Sequence, residues 1–175
     1  MPESSHQLSM TVLMTPDMAN FSGNVHGGML LKLLDQVAYA CASRYAGHYV
    51  VTKSVDQVIF KAPIYVGELV EFLASVNHTG KSSVEVGVRV ISEDIHTKTR
   101  RHTNSCYFTM VAIDEKGTPV KVPPFMPKNA LDKRRNQAAL IRKELREEFK
   151  RKYDELHQQS HPEGYDSSEE QYNGA

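Results

Sequence analysis

The sequence predicts an α+β fold in which one long helix lies against an antiparallel sheet. Three observations carry this. A Gly-rich turn ending in Gly27-Gly28 delivers the chain into an apolar helical run that begins at Met29. From Ser82 the residues alternate, with Val84, Val86, Val88 and Val90 to one side and Glu85, Gly87, Arg89 and Ile91 to the other. That period is the mark of a strand with one face on a core. The connections after the helix are mostly tight turns, and short links between consecutive strands favour an antiparallel meander.

The elements follow in order. Residues 7–14 make a short strand ended by Thr15-Pro16. A helix spans 26–46, with Arg44 in its last turn and Gly47 just beyond, a stop supported by the helix dipole. At that length it is roughly 30 Å long and would lie across the concave face of the sheet. Residues 49–60 are rich in β-branched side chains and read as the second strand, with Pro63 and Gly67 marking the turn after it. Leu69 to Asn77 is the third strand, turned by Thr79-Gly80-Lys81, and the alternating segment from Ser82 is the fourth. Arg101 to Ile113 is the last long strand, closed by Asp114-Glu115-Lys116-Gly117. In 129–158, Leu131, Ala138, Ile141, Leu145, Phe149, Tyr153 and Leu156 recur at helical spacing among dense charges, an amphipathic helix with a narrow apolar stripe. The organisation is a tail at 1–6, a main domain at 7–125, the amphipathic helix at 126–159, and an acidic tail expected to be disordered at 160–175.

Bulk properties narrow the classes. Lysine plus arginine equals aspartate plus glutamate at 21 each, so no basic excess suggests nucleic-acid binding. Cys41 and Cys106 sit in apolar periodic segments without CxxC spacing and read as reduced core thiols. The N-terminus lacks the apolar stretch of a secretory signal, and no segment has the roughly 18 uninterrupted apolar residues of a membrane span. A soluble, cytoplasmic protein with no membrane partner is expected.

Several catalytic motifs fail. No G-x-S-x-G accompanies His26-Gly27-Gly28. Gly80-Lys81-Ser82 resembles the end of a phosphate loop, but position 75 is Ser and the segment leads into a strand. The eight histidines lack metal-ligand spacing, so neither metal nor cofactor is expected.

What remains is Asp35, one carboxylate inside an apolar helix whose N-terminal amides lack intrahelical partners. Its helical neighbours include Lys32, with which it could pair at a solvated edge. The side formed by Gly28, Leu31, Ala38 and Ala42 is small and suits a second backbone or a ligand. Gly28 and Asp35 are seven residues apart, about 10 Å along the axis. A carbonyl held by the Gly28 amide is therefore out of reach of Asp35 on the same helix. Two such helices packed antiparallel about a two-fold axis would bring one N-terminus beside the other's middle, building two composite sites. In the loop before the helix, Asn20 can orient a water or a carbonyl, or form an Asx-turn. Asn24 is the expected N-cap, and His26 reads as a turn or interface histidine.

These residues, taken with Pro16-Asp17, Gly23, Val51-Thr52-x-Ser54-Val55-Asp56 and Gly80-Lys81-Ser82-Ser83-Val84-Glu85, resemble the hotdog-fold acyl-CoA thioesterases. The branch is that of the bacterial acyl-CoA hydrolases and the cytosolic brain-type enzyme, and the likeness covers roughly residues 8–125. It implies a long helix wrapped by a curved antiparallel sheet, a dimer as the catalytic unit and a trimer of dimers. It implies hydrolysis of acyl-CoA to free acid and coenzyme A, with coenzyme A as part of the substrate rather than a cofactor. The catalytic pair falls on Asn20 and on Asp35 from the partner, and the carbonyl-polarising amide on Gly28 or its neighbour. Asn24, His26 and Gly27 fall beside the substrate, and Thr79, Gly80, Lys81, Ser82 and Ser83 on the coenzyme A phosphates.

Two other readings use the same residues. A hydratase or dehydratase of acyl thioesters would pair His26 with an acid. A non-catalytic acyl-CoA sensor would bind ligand in the groove and a partner through 129–158. Release of free thiol from saturated acyl-CoA separates hydrolysis from both.

Overall fold

The computed structural model describes residues 6–160. In chain order these form β1 (Gln7–Leu13), a 3-10 turn (Pro16–Met18), α1 (Gly27–Ala46), β2 (Tyr49–Val55), β3 (Leu69–Thr79), β4 (Ser83–Glu93), β5 (Arg100–Ile113) and α2 (Ala130–Ser160). They fall into two compact units that divide between residues 126 and 127. The expected tails at 1–6 and 160–175 lie almost wholly outside the described residues.

The first unit is an antiparallel five-stranded sheet in the order β1-β3-β4-β5-β2, with α1 packed against every strand. Alternation does what the sequence predicts on the inner face. Val84, Val86, Val88 and Val90 of β4 are buried, as are Cys106, Phe108, Met110 and Ala112 of β5. They meet Leu30, Leu34, Val37 and Cys41 of α1. Burying each of the larger aliphatic side chains contributes about 1.5–3 kcal/mol. Ala38 and Ala42 are fully buried too and lie on the core of their own protomer, while Gly28 and Leu31 of the same small face are exposed. On the other side of β4, Glu85 is buried and lies 3.5 Å from the Asn77 amide, so this face is less solvated than the alternation predicts.

The meander is only partial. β3, β4 and β5 pair in sequence order, but β2 pairs with β5 and β1 with β3. The second strand stops at Val55, after a bulge between Thr52 and Ser54, and does not reach residue 60. Residues 56–68 then cross from one end of the strand order toward the other. In passing, the Asp56 N–H donates to the Tyr107 carbonyl and the Lys61 N–H to the Thr103 carbonyl. These scattered bonds satisfy β5 without extending the strand.

Both ends of α1 are capped. At the C-terminus Gly47 takes φ 70° and donates to the Ser43 carbonyl at 2.9 Å, a left-handed stop that glycine adopts at low cost. The N-cap is His26, not Asn24: its Nδ1 accepts the Gly28 N–H at 2.9 Å. Asn24 stands too far back because the chain makes one further extended step through Val25, whose N–H donates to the Ile64 carbonyl.

The second unit is α2, a 31-residue helix. Asn129 and Asp132 cap its start reciprocally: the Asp132 N–H donates to Asn129 Oδ1, and Asn129 Nδ2 donates to Asp132 Oδ2, which also accepts the Lys128 N–H. Ile141, Leu145, Phe149, Tyr153 and Leu156 form its exposed apolar stripe. Among the described residues no helix is long and apolar enough to cross a membrane.

Candidate active site

A cleft of about 380 Å³ opens at the start of α1. Asn20, Asn24, Gly27 and Leu30 line one side, and residues 60–64 with Thr103 line the other. The second wall is the crossing segment after β2. It sits close to the helix tip, since a Cβ at Gly27 would lie 3.6 Å from the Phe60 ring.

The loop before the helix is held from within. Asn20 Oδ1 accepts from the Ser22 N–H at 2.9 Å, the Ser22 hydroxyl at 3.1 Å and the Asn24 N–H at 3.1 Å. The Asn20 N–H donates to the Asn24 carbonyl at 2.6 Å. The Asx-turn reading of Asn20 is the one these bonds show. Its oxygen builds the Asx-turn, and that fixes the side-chain NH₂ as the remaining donor of a cleft-lining residue.

His26 is tied down as well. An Nδ1 that accepts a hydrogen bond places the proton of the neutral ring on Nε2. The ring therefore serves the helix, and this engages the Gly28 amide. The Gly27 and Met29 amides make no such bond among the described residues, and of the two glycines Gly27 lines the cleft. While His26 is in place the Gly28 amide is engaged, and Gly27 is the glycine at the cleft.

Asp35 lies about two turns further along α1 than the Gly27-Gly28 tip and does not line this cleft. It is half-buried, and no ion pair joins it to Lys32 among the described residues. Its partner is Thr52 of β2, whose hydroxyl donates to Asp35 Oδ1 at 2.6 Å. A short hydroxyl–carboxylate bond fixes the direction of the acid. Thr52 is a candidate site residue that the sequence alone does not single out. It stands inside the β-branched run that marks the strand, and a period-2 pattern gives no sign that one hydroxyl crosses to a helix 17 residues back.

The hairpin Thr79–Ser83 is distant from the cleft of its own protomer. The Thr79 hydroxyl accepts the Phe125 N–H at 2.8 Å, and the Phe125 ring lies 6.4 Å from that of Tyr45, at the far end of α1. Within the hairpin the Gly80 N–H donates to the Ser83 carbonyl, and Lys81 is exposed. One chain thus brings together Asn20, Asn24, His26, Gly27 and Gly28, while Asp35 and residues 79–83 stand apart. Burial pushes the Cys41 and Cys106 thiols up to about 12, so neither is a nucleophile at neutral pH. No cluster of three His, Cys, Asp or Glu side chains able to hold a metal occurs among the described residues.

Residues 22–99 match the model of the thioesterase superfamily. The Helicobacter pylori protein VdlD is 54% identical over 140 residues, 80% of either chain. A hexameric acyl-CoA thioesterase solved without ligand is 39% identical, with a TM-score of 0.79 over 81% of this chain and 91% of that one. The Staphylococcus aureus acyl-CoA hydrolase, solved with butyryl coenzyme A, coenzyme A and its disulfide, is 29% identical. Its TM-score is 0.80 over 89% of this chain and 94% of that one. The same hydrolase has been solved with one asparagine, one aspartate or one threonine replaced by alanine. Those three residues are spaced 15 and 17 positions apart, the intervals that separate Asn20, Asp35 and Thr52 here.

Proposed function

The chain belongs to the hotdog acyl-CoA thioesterases, and from that premise we propose that it hydrolyses acyl-CoA to a free fatty acid and coenzyme A in a site shared by two protomers. One observation carries the shared site. Asp35 is oriented by Thr52, yet it is absent from the cleft that Asn20 and Gly27 line on its own chain. A two-fold axis that sets two α1 helices antiparallel supplies the missing acid to each cleft. The unpaired edge of β2 supports such an axis, because an open edge strand is a ready surface for a second copy. The contact of α1 with every strand supports a sheet that curls around the helix.

In this site the thioester carbonyl accepts hydrogen bonds from the α1 N-terminus. The Gly27 amide is free to donate, and the Gly28 amide joins when the His26 ring turns away. Both aim at the oxygen on which negative charge develops, where the helix dipole also favours it. The Asn20 NH₂ positions the carbonyl or the attacking water. Asp35 of the partner subunit either takes a proton from that water or attacks the carbonyl carbon itself. In the first case the tetrahedral adduct expels the coenzyme A thiolate directly. In the second the thiolate leaves a mixed anhydride on Asp35, which water then hydrolyses. Asn24 and His26 line the approach.

The hairpin Thr79, Gly80, Lys81, Ser82 and Ser83 offers hydroxyls, backbone amides and a lysine to the coenzyme A phosphates. Because it lies at the far end of α1 from its own cleft, it serves a site completed by another protomer. Dimers assemble as a trimer of dimers in this reading, and the hexameric thioesterase among the relatives supports that number.

The test is a thiol-release assay across acyl-CoA chain lengths with wild type and Asp35→Ala. The variant should fold and assemble but lose about 10²–10⁴-fold in turnover, the contribution of a positioned base. Near-normal turnover in a folded Asp35→Ala protein would refute the assignment.

A further inference from the structure

Two adjacent arginines open β5 and face different partners. Arg100 pairs with Glu71 of β3 and Glu93 of β4, and its side chain is 52% exposed. Arg101 pairs with Glu68, whose side chain is only 8% exposed. The first is a surface network of the kind that adds little. The second holds a charge that burial would make costly without partners.

Glu68 has two partners, and both lead toward the cleft. One carboxylate oxygen accepts from the Arg101 guanidinium, and Oε2 accepts the Tyr65 N–H at 3.0 Å. The same guanidinium lies 5.2 Å from the centroid of the Tyr65 ring, so Tyr65 is held at backbone and side chain alike. Tyr65 bridges Asn24 as an isolated β-pair, and the Ile64 carbonyl beside it accepts the Val25 N–H at 2.9 Å. Asn24 in turn exchanges hydrogen bonds with Asn20. Continuous direct contacts therefore run from Arg101 through Glu68, Tyr65 and Asn24 to Asn20.

We propose that buried Glu68, paired with the half-buried Arg101, positions the catalytic loop 20–28 and, through Tyr65, the adjoining cleft wall 60–64. An apolar pair would fill the same volume, but it would leave the Tyr65 N–H without an acceptor and the loop without a fixed direction. Neither residue touches the reacting atoms, so both are positioning residues. Their effect on turnover rests on the hydrolase reading; their effect on loop order does not.

The experiment compares Arg101→Met, Glu68→Met and the double variant with Glu71→Gln, which breaks the neighbouring surface pair. It reads amide hydrogen exchange in residues 20–28 and steady-state thiol release. In Arg101→Met and Glu68→Met, exchange in 20–28 should rise tenfold or more. Their kcat should fall at least tenfold while KM stays within threefold, since displacing positioning groups by about 1 Å can cost about 100-fold. Glu71→Gln should leave both readouts unchanged. The double variant buries no unpaired charge, so it should be the better folded form and still show both effects. If a wild-type protein that releases no thiol shows the exchange change on substitution, the hydrolase reading fails and the positioning role stands. Wild-type exchange in all three variants, or an equal loss of kcat in Glu71→Gln, would overturn the proposal.

Discussion

In the proposed mechanism, Asp35 and Thr52 make the smallest unit on which the chemistry depends. The hydroxyl donates to the carboxylate at 2.6 Å, so removing it should misdirect the acid without disturbing the core. Thr52→Val keeps the shape and should lower kcat by about 10- to 100-fold with KM little changed, as expected for loss of orientation at a reacting group. Thr52→Ser should restore most of the rate, and steady-state kinetics on the three proteins check this. His26 is predicted to behave in the opposite sense. Its ring caps α1 by accepting from Gly28. His26→Ala should therefore cost about 1 kcal/mol of stability, the usual worth of an N-cap, with thiol release within a fewfold of wild type. Thermal melts and the same assay measure both quantities, and abolished turnover in a folded His26→Ala protein would instead favour a histidine-dependent lyase. The sequence marks Asn20, Asp35 and the glycines because their types are unusual where they stand. Thr52 is ordinary for a strand, and only its tertiary partner sets it apart.

At the scale of elements, α1 is the most legible part of the chain. Gly27 and Gly47 frame it, the apolar period fills it, and the observed helix begins and ends within a residue of the expected bounds. The left-handed φ of Gly47 gives the stop a measurable cost. Gly47→Ala should destabilise the protein by about 1 kcal/mol while leaving kcat unchanged, which a thermal melt and a rate at 25 °C would show. The second strand was harder to read. Val58, Ile59 and Phe60 carry strand propensity, but they belong to the crossing segment that walls the cleft. β-propensity reports a fit to a half-buried surface, and here Phe60 meets the cleft and Val58 the core instead of a neighbouring strand. Strand order was illegible for a related reason. Turn chemistry links β3, β4 and β5 locally, whereas the placing of β1 and β2 at the two edges is decided by long-range packing on α1.

The whole molecule has no net charge at pH 7 and an unpaired β2 edge adjoining the acid-bearing strand–helix pair. In the proposed site the acid of one protomer completes the cleft of another. That arrangement makes each catalytic centre depend on two chains, and two defective chains can then rescue each other. The most direct measurement mixes Asn20→Ala and Asp35→Ala protomers, each nearly inactive alone, by co-expression or by refolding together. In a mixed dimer one site carries both substitutions and the other carries neither. Random pairing of equal amounts should therefore recover about a quarter of wild-type turnover. Failure of the mixture to exceed the two parents, with mixed dimers demonstrated, would place Asn20 and Asp35 in the same site of a single chain and contradict the account.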